Sequence, residues 1–133
     1  MYLLDTNVVS ELRKPRPNAR VLSWMGRADD KHLFLSAVTV GEIQADIEIT
    51  RKQDAVKAVE LERWLDQVSD AYNVLPMDAK CFRRWAILMD RQSNTLYEDA
   101  MIAATALIHR LTVVTRNTRD FSRFEVPTLN PFD

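Results

Sequence analysis

Short apolar runs alternate along the chain with longer stretches that have apolar residues at helical spacing. Residues 1–4 form an apolar run too short for a helix, which predicts a strand. Asp5 follows it, and then Thr6 and Asn7, both good N-cap residues, open a helical pattern that ends at the prolines of residues 13–17. Further strands are predicted at 32–36, 72–76, 111–115 and 126–129, and further helices at 18–26, 39–51, 54–69, 78–93 and 97–108.

This alternation predicts an α/β fold, a three-layer α/β/α domain with a mostly parallel central sheet. The helix at 97–108 is apolar on nearly every face, so we expect it to be buried against the sheet. A chain of 133 residues with 47% hydrophobic residues is the size of one globular domain, and we expect residues 1–133 to form a single one.

Composition narrows the functional classes. The 18 basic and 19 acidic side chains nearly cancel, so any nucleic-acid surface must be a local patch. Cys81 is the only cysteine, which excludes an internal disulfide and a thiolate zinc site and suits a reducing cytoplasm. The longest apolar stretch, 100–108, is far shorter than the roughly 20 residues that cross a bilayer. We therefore expect a cytoplasmic protein with no membrane span and no classical export signal.

Topology places four acids at one edge of the predicted sheet. In a right-handed β-α-β arrangement, every helix that follows a strand begins at the carboxyl edge of the sheet. Asp5 ends the first strand, Glu42 lies in the first turn after the second, and Asp120 lies just beyond the strand that ends at Thr115. The helix leading into residue 111 must start at the same edge, which brings Asp99 there.

Each acid alone also suits a structural role. Glu42 fits the return arm of a capping box at the start of helix 39–51, and Asp99 and Asp120 fit first-turn acids favoured by the helix dipole. Asp5 is expected to have no capping role, because one of the two polar residues after it would cap the first helix. Their joint placement favours a site for a hard divalent cation, which prefers oxygen ligands and relieves the repulsion between carboxylates.

The remaining candidate residues are weaker. His32 and His109 lie at a strand start and a helix end, away from this edge, and Trp24, Trp64 and Trp85 recur among apolar residues in a way that favours packing. Five basic residues flank the expected cleft and suit either contact with an RNA backbone or a solvated surface: Arg13, Lys14, Arg16, Arg116 and Arg119.

Four segments together resemble a PIN domain, specifically a VapC-type toxin of a bacterial toxin–antitoxin pair. They are Leu3-Leu4-Asp5-Thr6-Asn7, Thr39-x-x-Glu42, Asp99-Ala100-x-Ile102-Ala103-Ala104-Thr105-Ala106 and Thr115-Arg116-Asn117-x-x-Asp120-Phe121. The resemblance implies a divalent-metal-dependent endoribonuclease whose Mg²⁺ or Mn²⁺ site is Asp5, Glu42, Asp99 and Asp120, with supporting polar residues Thr6, Thr115 and Asn117. It also implies a homodimer and a small VapB-type antitoxin that assembles with the toxin. Contact with promoter DNA is expected only through that antitoxin, because this chain has no helix-turn-helix signature and no net positive charge.

One departure from the family pattern concerns the residue before Asp99. Leu96-Tyr97-Glu98 stands where many relatives carry a proline, so Glu98 is a possible fifth acid, and Asp99 is expected to face the metal. With no Ser/His or Cys/His arrangement at this edge, the expected mechanism is in-line attack by a metal-activated water. Asp5 and Asp99 are the expected direct ligands, with Glu42 and Asp120 bonding metal waters or completing a second site.

Two other functional classes fit the same architecture. A signalling module of receiver type also gathers acids and Mg²⁺ at the edge of a parallel sheet, but it needs a lysine after a late strand, and the last lysine here is Lys80. A non-catalytic PIN-like scaffold would bind a partner or nucleic acid without cutting it. A metal-dependent cleavage assay discriminates between the scaffold and the ribonuclease.

Overall fold

Five parallel strands form the centre of the protein in the order β3-β2-β1-β4-β5. The computed structural model describes all 133 residues. The strands are β1 (Tyr2–Leu4), β2 (Leu33–Ser36), β3 (Asn73–Leu75), β4 (Thr112–Val114) and β5 (Thr128–Leu129). The helices are α1 (Thr6–Leu12), α2 (Ala19–Arg27), α3 (Ala37–Arg51), α4 (Ala55–Ala71), α5 (Ala79–Met89), α6 (Tyr97–His109) and α7 (Thr118–Ser122), with short 3₁₀ helices at Asp30–His32 and Asn94–Leu96.

Neighbouring residues of the central strand face opposite sides of the sheet. Leu4 packs in one hydrophobic core with α1 to α4, whereas Leu3 packs in a second core with α6 and α7, against which α5 also packs. Both leucines are fully buried. The alternation along β1 thus separates two helical layers, and the predicted three-layer α/β/α fold with a parallel sheet is confirmed.

Small side chains let α6 lie close to the sheet. Its buried residues are Ala100, Ile102, Ala103, Ala104, Thr105 and Ala106, which confirms the prediction of a buried helix. The helix ends at His109, and the C-cap residue Arg110 has a left-handed backbone (φ 57°) and an N–H that donates to carbonyls of the last turn. Because α6 leads into β4, its first turn lies at the carboxyl edge of the sheet.

The predicted helix boundaries are wrong at two places. The helix expected at 78–93 ends at Met89, since Asp90 leaves the helical backbone (φ −56°, ψ 121°) and Arg91 adopts a left-handed one (φ 65°). The helix expected to open with Thr39 as its cap begins two residues earlier. Ser36 is its N-cap, and the Ser36 hydroxyl accepts a hydrogen bond from the N–H of Val38 at 3.0 Å. The helices are all too short or too polar to span a lipid bilayer.

Candidate functional site

Asp5 lies at the centre of the carboxyl edge of the sheet and is only 4% exposed. Its Oδ1 accepts a hydrogen bond from the N–H of Thr6 at 2.8 Å, so Asp5 itself caps α1. The expectation that Asp5 has no capping role is therefore wrong. The reason is local: Asp5 keeps the extended backbone of the strand (φ −72°, ψ 158°) while its carbonyl already accepts from the helical N–H of Val9.

The second carboxylate oxygen of Asp5 is held by two side chains. Its Oδ2 accepts from the hydroxyl of Thr115 at 2.8 Å and from the amide of Asn7 at 3.1 Å. Burial raises the pKa of Asp5 above its usual range, and the hydrogen bonds from Thr115 and Thr6 lower it by less. Asp5 is thus a fixed carboxylate in a place that disfavours an isolated negative charge.

Asn7 is the functional candidate that sequence reasoning missed. Its Nδ2 also lies 3.3 Å from the hydroxyl of Thr115, and its Oδ1 accepts from the N–H of Arg116 at 3.3 Å. These bonds join the end of β1 to the residues that follow β4. The sequence signal was an Asn two positions after the acid, but that position suggested only a helix cap.

Thr115 and Asn117 contribute in different ways. Thr115 is fully buried, donates to Asp5, and accepts from the N–H of Asn117 at 2.9 Å. The Asn117 side chain makes no capping hydrogen bond at the start of α7. Its backbone carbonyl accepts from the N–H of Asp120 at 3.1 Å, which fixes the first turn of α7 and hence the backbone that carries Asp120.

Glu42 projects from α3 toward the same edge. Its Oε1 accepts from the hydroxyl of Thr6 at 3.2 Å, and the Thr6 hydroxyl also lies 3.1 Å from that of Thr39. Burial, followed by the neighbouring Glu98 carboxyl group, raises the pKa of Glu42 to about 8. Glu42 and Glu98 therefore lie near one another although their helices belong to opposite layers, and the Glu98 carboxyl group disfavours the ionised form of Glu42.

Asp99 connects the remaining acids. It is half-buried in the first turn of α6, and burial raises its pKa to about 6, with further increases from the charges of Asp5, Asp120 and Glu98. The four acids expected at this edge are thus brought within electrostatic reach of one another, together with Glu98. Burial is the largest cause of the raised pKa at Asp5, Glu42 and Asp99, and neighbouring carboxylates raise the pKa of Glu42 and Asp99 further.

No basic side chain neutralises these acids. The four salt bridges of the chain lie elsewhere, at Lys14–Glu11, Arg51–Glu48, Arg51–Glu62 and Lys57–Glu60. No three His, Cys, Asp or Glu side chains are already arranged around a point that could hold a metal ion. The fit of a cation therefore depends on charge and on the all-oxygen character of the donors, and it requires some carboxylates to turn toward the ion.

The flanking basic residues are exposed and differ in their contacts. Lys14 pairs with the buried Glu11, and the guanidinium of Arg116 lies 3.9 Å from the centroid of the Phe132 ring. Arg13 and Lys14 line a surface recess of about 240 Å³ together with Lys57. The other two basic candidates, Arg16 and Arg119, are placed in the Pro-rich turn after α1 and in α7.

The fold and the acidic edge define an α/β protein of the PIN class. The PIN domain family profile matches residues 2–127, and the chain belongs to the PIN domain family. It is 37% identical to the plasmid stability protein StbB of Pseudomonas syringae pv. tomato and 35% identical to the toxin FitB of Neisseria gonorrhoeae. It is 34% identical to a VapC ribonuclease of Sinorhizobium fredii. Each alignment covers at least 99% of this chain and 99% of the relative.

Solved structures agree with these relatives. The crystal structure of FitAcB from Neisseria gonorrhoeae superposes with a TM-score of 0.88 at 33% identity, covering 99% of both chains. A structure of FitAB bound to a DNA fragment superposes with a TM-score of 0.84 at 31% identity and covers 100% of this chain and 96% of that one. The likeness extends over the whole chain, including all the elements that carry the acidic residues.

Proposed function

We propose that this chain is the toxin of a toxin–antitoxin pair and acts as a divalent-metal-dependent endoribonuclease that hydrolyses RNA phosphodiester bonds. The observation that carries the proposal is the unneutralised acidic cluster at the carboxyl edge of the sheet, where parallel α/β folds place their chemistry. Full-length likeness to a toxin and to a VapC ribonuclease supports the same activity.

A hard cation such as Mg²⁺ or Mn²⁺ fits the donor set, because every candidate ligand is a carboxylate and none is paired with a base. When bound, the cation lowers the pKa of a water molecule and polarises the phosphoryl oxygen. Asp5 and Asp99 are the proposed direct ligands, and Glu42 and Asp120 are proposed to bond metal waters or complete a second site. Glu98 becomes a candidate fifth carboxylate through its contact with Glu42.

The chain's other residues position these acids and the substrate. Asn7 and Thr115 fix the orientation of the Asp5 carboxylate, and Thr6 orients Glu42. Asn117 supports Thr115 through its backbone N–H. The exposed basic residues around the cleft are proposed to contact phosphates of the RNA backbone: Arg13, Lys14, Arg16, Arg116 and Arg119.

The partner is proposed to be a small VapB-type antitoxin that assembles with this chain in the cytoplasm. A basic antitoxin side chain inserted among the acids would block the site by competing for the carboxylates. Promoter DNA is proposed to bind through the antitoxin, since this chain has a net charge of −1. A homodimer is proposed as well, because apolar side chains on α3 and α4 remain exposed, among them Ile49, Val56 and Val59.

The decisive experiment is cleavage of 5′-labelled single-stranded RNA by the purified chain. We expect cleavage with Mg²⁺ or Mn²⁺ and none in excess EDTA. Asp5→Asn and Asp99→Asn should each lower kcat by about a hundredfold or more, the scale expected for removal of a group that stabilises developing charge. Asp66→Asn, an exposed acid on α4, is the matched control and should leave the rate unchanged.

Two results would overturn this function. Cleavage that persists undiminished in EDTA contradicts the metal mechanism. A wild-type chain that binds RNA with a divalent cation but never cuts it favours the alternative of a non-catalytic PIN-like scaffold.

A further inference from the structure

Three aromatic side chains of α5 and α6 form two ring contacts that share Trp85. The rings of Trp85 and Tyr97 have centroids 4.9 Å apart at an interplanar angle of 75°, and those of Phe82 and Trp85 are 6.1 Å apart at 88°. The indole N–H of Trp85 donates to the carbonyl of Tyr97 at 3.2 Å. This bond holds the middle ring of the group, hereafter the aromatic cluster, against the first residue of α6.

The aromatic cluster is continuous with the acidic site. Tyr97 directly precedes Glu98 and Asp99 in the first turn of α6. Glu98 meets Glu42 of the opposite helical layer, and Asp99 lies within electrostatic reach of Asp5. The first turn of α6 thus carries both an exposed ring, Tyr97, and two of the acids.

Two of the three rings remain largely open to solvent, although rings that served only to pack the core would be buried. The outer rings, Tyr97 and Phe82, are 46% and 45% exposed, whereas Trp85 is half-buried against the second core. An edge-to-face contact covers one face of one ring and the edge of the other, so each pair leaves aromatic surface uncovered by its neighbour. The cluster is an anchored ring flanked by two rings open to solvent.

The surroundings carry positive charge. Arg83 and Arg84 stand between Phe82 and Trp85 in the sequence of α5 and line a recess with Ile108 of α6, and Arg91 follows α5 with a left-handed backbone. All three are exposed, and none takes part in a salt bridge. Exposed rings interleaved with unpaired arginines match single-stranded nucleic acid, whose bases stack on aromatic faces while its phosphates contact cations.

We propose that Phe82 and Tyr97, held in place by Trp85, form a stacking site for unpaired RNA bases next to the acidic site. The proposal rests on the proposed ribonuclease function, since it names how the substrate of that site is held. Stacking accepts every base because every base has a π face, so the cluster selects single-stranded RNA rather than a sequence. Arg83, Arg84 and Arg91 contact the neighbouring phosphates.

The test uses 5′-labelled RNA that the wild-type chain cleaves, together with copies that carry one abasic nucleotide at successive positions. The wild-type protein should cleave with a lower kcat/KM when the missing base is the one that stacks on the rings. Phe82→Ala and Tyr97→Leu should raise KM for intact RNA by about five- to a hundredfold, the range for loss of one base–aromatic stack, with little change in kcat. Both variants should also lose the sensitivity to the abasic position.

Conservative variants keep the test specific. Phe82→Trp and Tyr97→Phe retain a ring and should behave as wild type. Ile87→Ala removes an apolar side chain that is 69% exposed on the same helix but belongs to no ring contact, and it should leave both KM and the abasic profile unchanged. A circular dichroism melt of each variant reports whether it is folded.

Two outcomes overturn the stacking site while the ribonuclease function stands. One is an unchanged abasic profile in folded Phe82→Ala and Tyr97→Leu that cleave RNA. The other is a shift from dimer to monomer in light scattering of those variants with the abasic profile intact, which would assign the rings to a contact between two copies. If the wild-type chain cleaves no RNA with any divalent cation, both proposals fail together.

Discussion

At the scale of single residues, the site depends on opposing effects at one carboxylate. Burial raises the pKa of Asp5, while the Thr115 hydroxyl and the Thr6 N–H lower it, and burial is the larger effect. The same hydrogen bonds leave Asp5 only one orientation. A buried, hydrogen-bonded carboxylate with no basic partner is suited to a cation, because the cation supplies the missing positive charge.

Removing the Thr115 hydroxyl tests this balance. Thr115→Val deletes a donor to Asp5 at nearly constant volume, so the pKa of Asp5 should rise further. Binding of Mn²⁺, which requires the ionised carboxylate, should weaken and its pH midpoint should move upward. The free energy of unfolding should fall by about 1 to 3 kcal/mol, the scale of a hydrogen bond to a charged group. Calorimetric titration of Mn²⁺ across pH measures the first effect, and urea unfolding measures the second.

Two substitutions serve as controls for that experiment. Thr115→Ser keeps the hydroxyl and should retain the pH midpoint. Thr112→Val makes the same change at the other end of β4, away from Asp5, and should not affect Mn²⁺ binding. Equal midpoints for Thr115→Val and the wild type would show that the hydroxyl does not tune Asp5.

At the scale of elements, α6 positions Asp99 through small side chains. Ala103 is fully buried in the second core, one turn after Asp99. Ala103→Leu should overpack this contact and lower the free energy of unfolding by about 1 to 3 kcal/mol. It should also weaken cleavage by displacing the first turn of α6. Ala86→Leu, the same change at an exposed position of α5, should do neither. Urea unfolding that shows the same loss for both variants would contradict the close packing of α6.

Elements and their order could be predicted from the sequence because the relevant signals are local. Short apolar runs predict the strands, and apolar residues at helical spacing predict the helices. In a parallel sheet, helices that follow strands begin at the carboxyl edge, and this rule alone places four acids there: Asp5, Glu42, Asp99 and Asp120. The helices predicted from residues 18 and 78 also begin there in the structure. The side chains of Asn18 and Asp78 cap them by accepting hydrogen bonds from N–H groups of the first turn.

The details that failed depend on contacts between distant segments. Asn7 bonds Thr115 across 108 residues because β1 and β4 are neighbours, and no local pattern records that pairing. The sequence indicated Glu98 as a possible fifth acid but not its place beside Glu42, because α3 and α6 belong to opposite layers. Asp5 caps α1 because its backbone is still extended after β1 and its N–H donates to the carbonyl of Val114, so α1 can begin only at Thr6.

At the scale of the whole molecule, the acidic site should make metal-free stability depend on pH. The folded-state pKa values of Glu42, about 8, and Asp99, about 6, lie above the ordinary values of 4.5 and 3.8 that apply in the unfolded chain. Between the unfolded and folded pKa values, the folded protein therefore binds more protons than the unfolded chain. This stabilisation is complete below the unfolded pKa values and is lost as pH rises through the folded ones. The Tm in EDTA should therefore fall from about pH 5 to about pH 8.5.

Two further measurements test whether the acidic site causes this dependence of Tm on pH: addition of a divalent cation and substitution of Glu42. Mg²⁺ or Mn²⁺ should raise the Tm most at the alkaline end, since binding stabilises the folded state only when the carboxylates are ionised. Glu42→Gln should flatten the slope, whereas Asp66→Asn should not. A Tm in EDTA that stays level or rises over this range would show that the acids do not repel one another in the folded protein.

Expression in cells tests the whole molecule as a controlled toxin. An active ribonuclease of this kind harms the cell that makes it, so inducing the chain alone should arrest growth, and co-expressing its cognate antitoxin should restore growth. Asp5→Asn should be harmless by itself because it removes a proposed metal ligand, while the Asp66→Asn control should arrest growth as wild type does.

If an antitoxin basic residue occupies the acidic cluster, replacing it with alanine should weaken rescue, and Asp5→Asn should bind the antitoxin less tightly in a pull-down with purified proteins. Colony counts after induction, with immunoblots to equalise expression, measure the effect. Normal growth with wild-type chain at high expression and no antitoxin present would contradict the toxin function and favour a scaffold that binds without cutting.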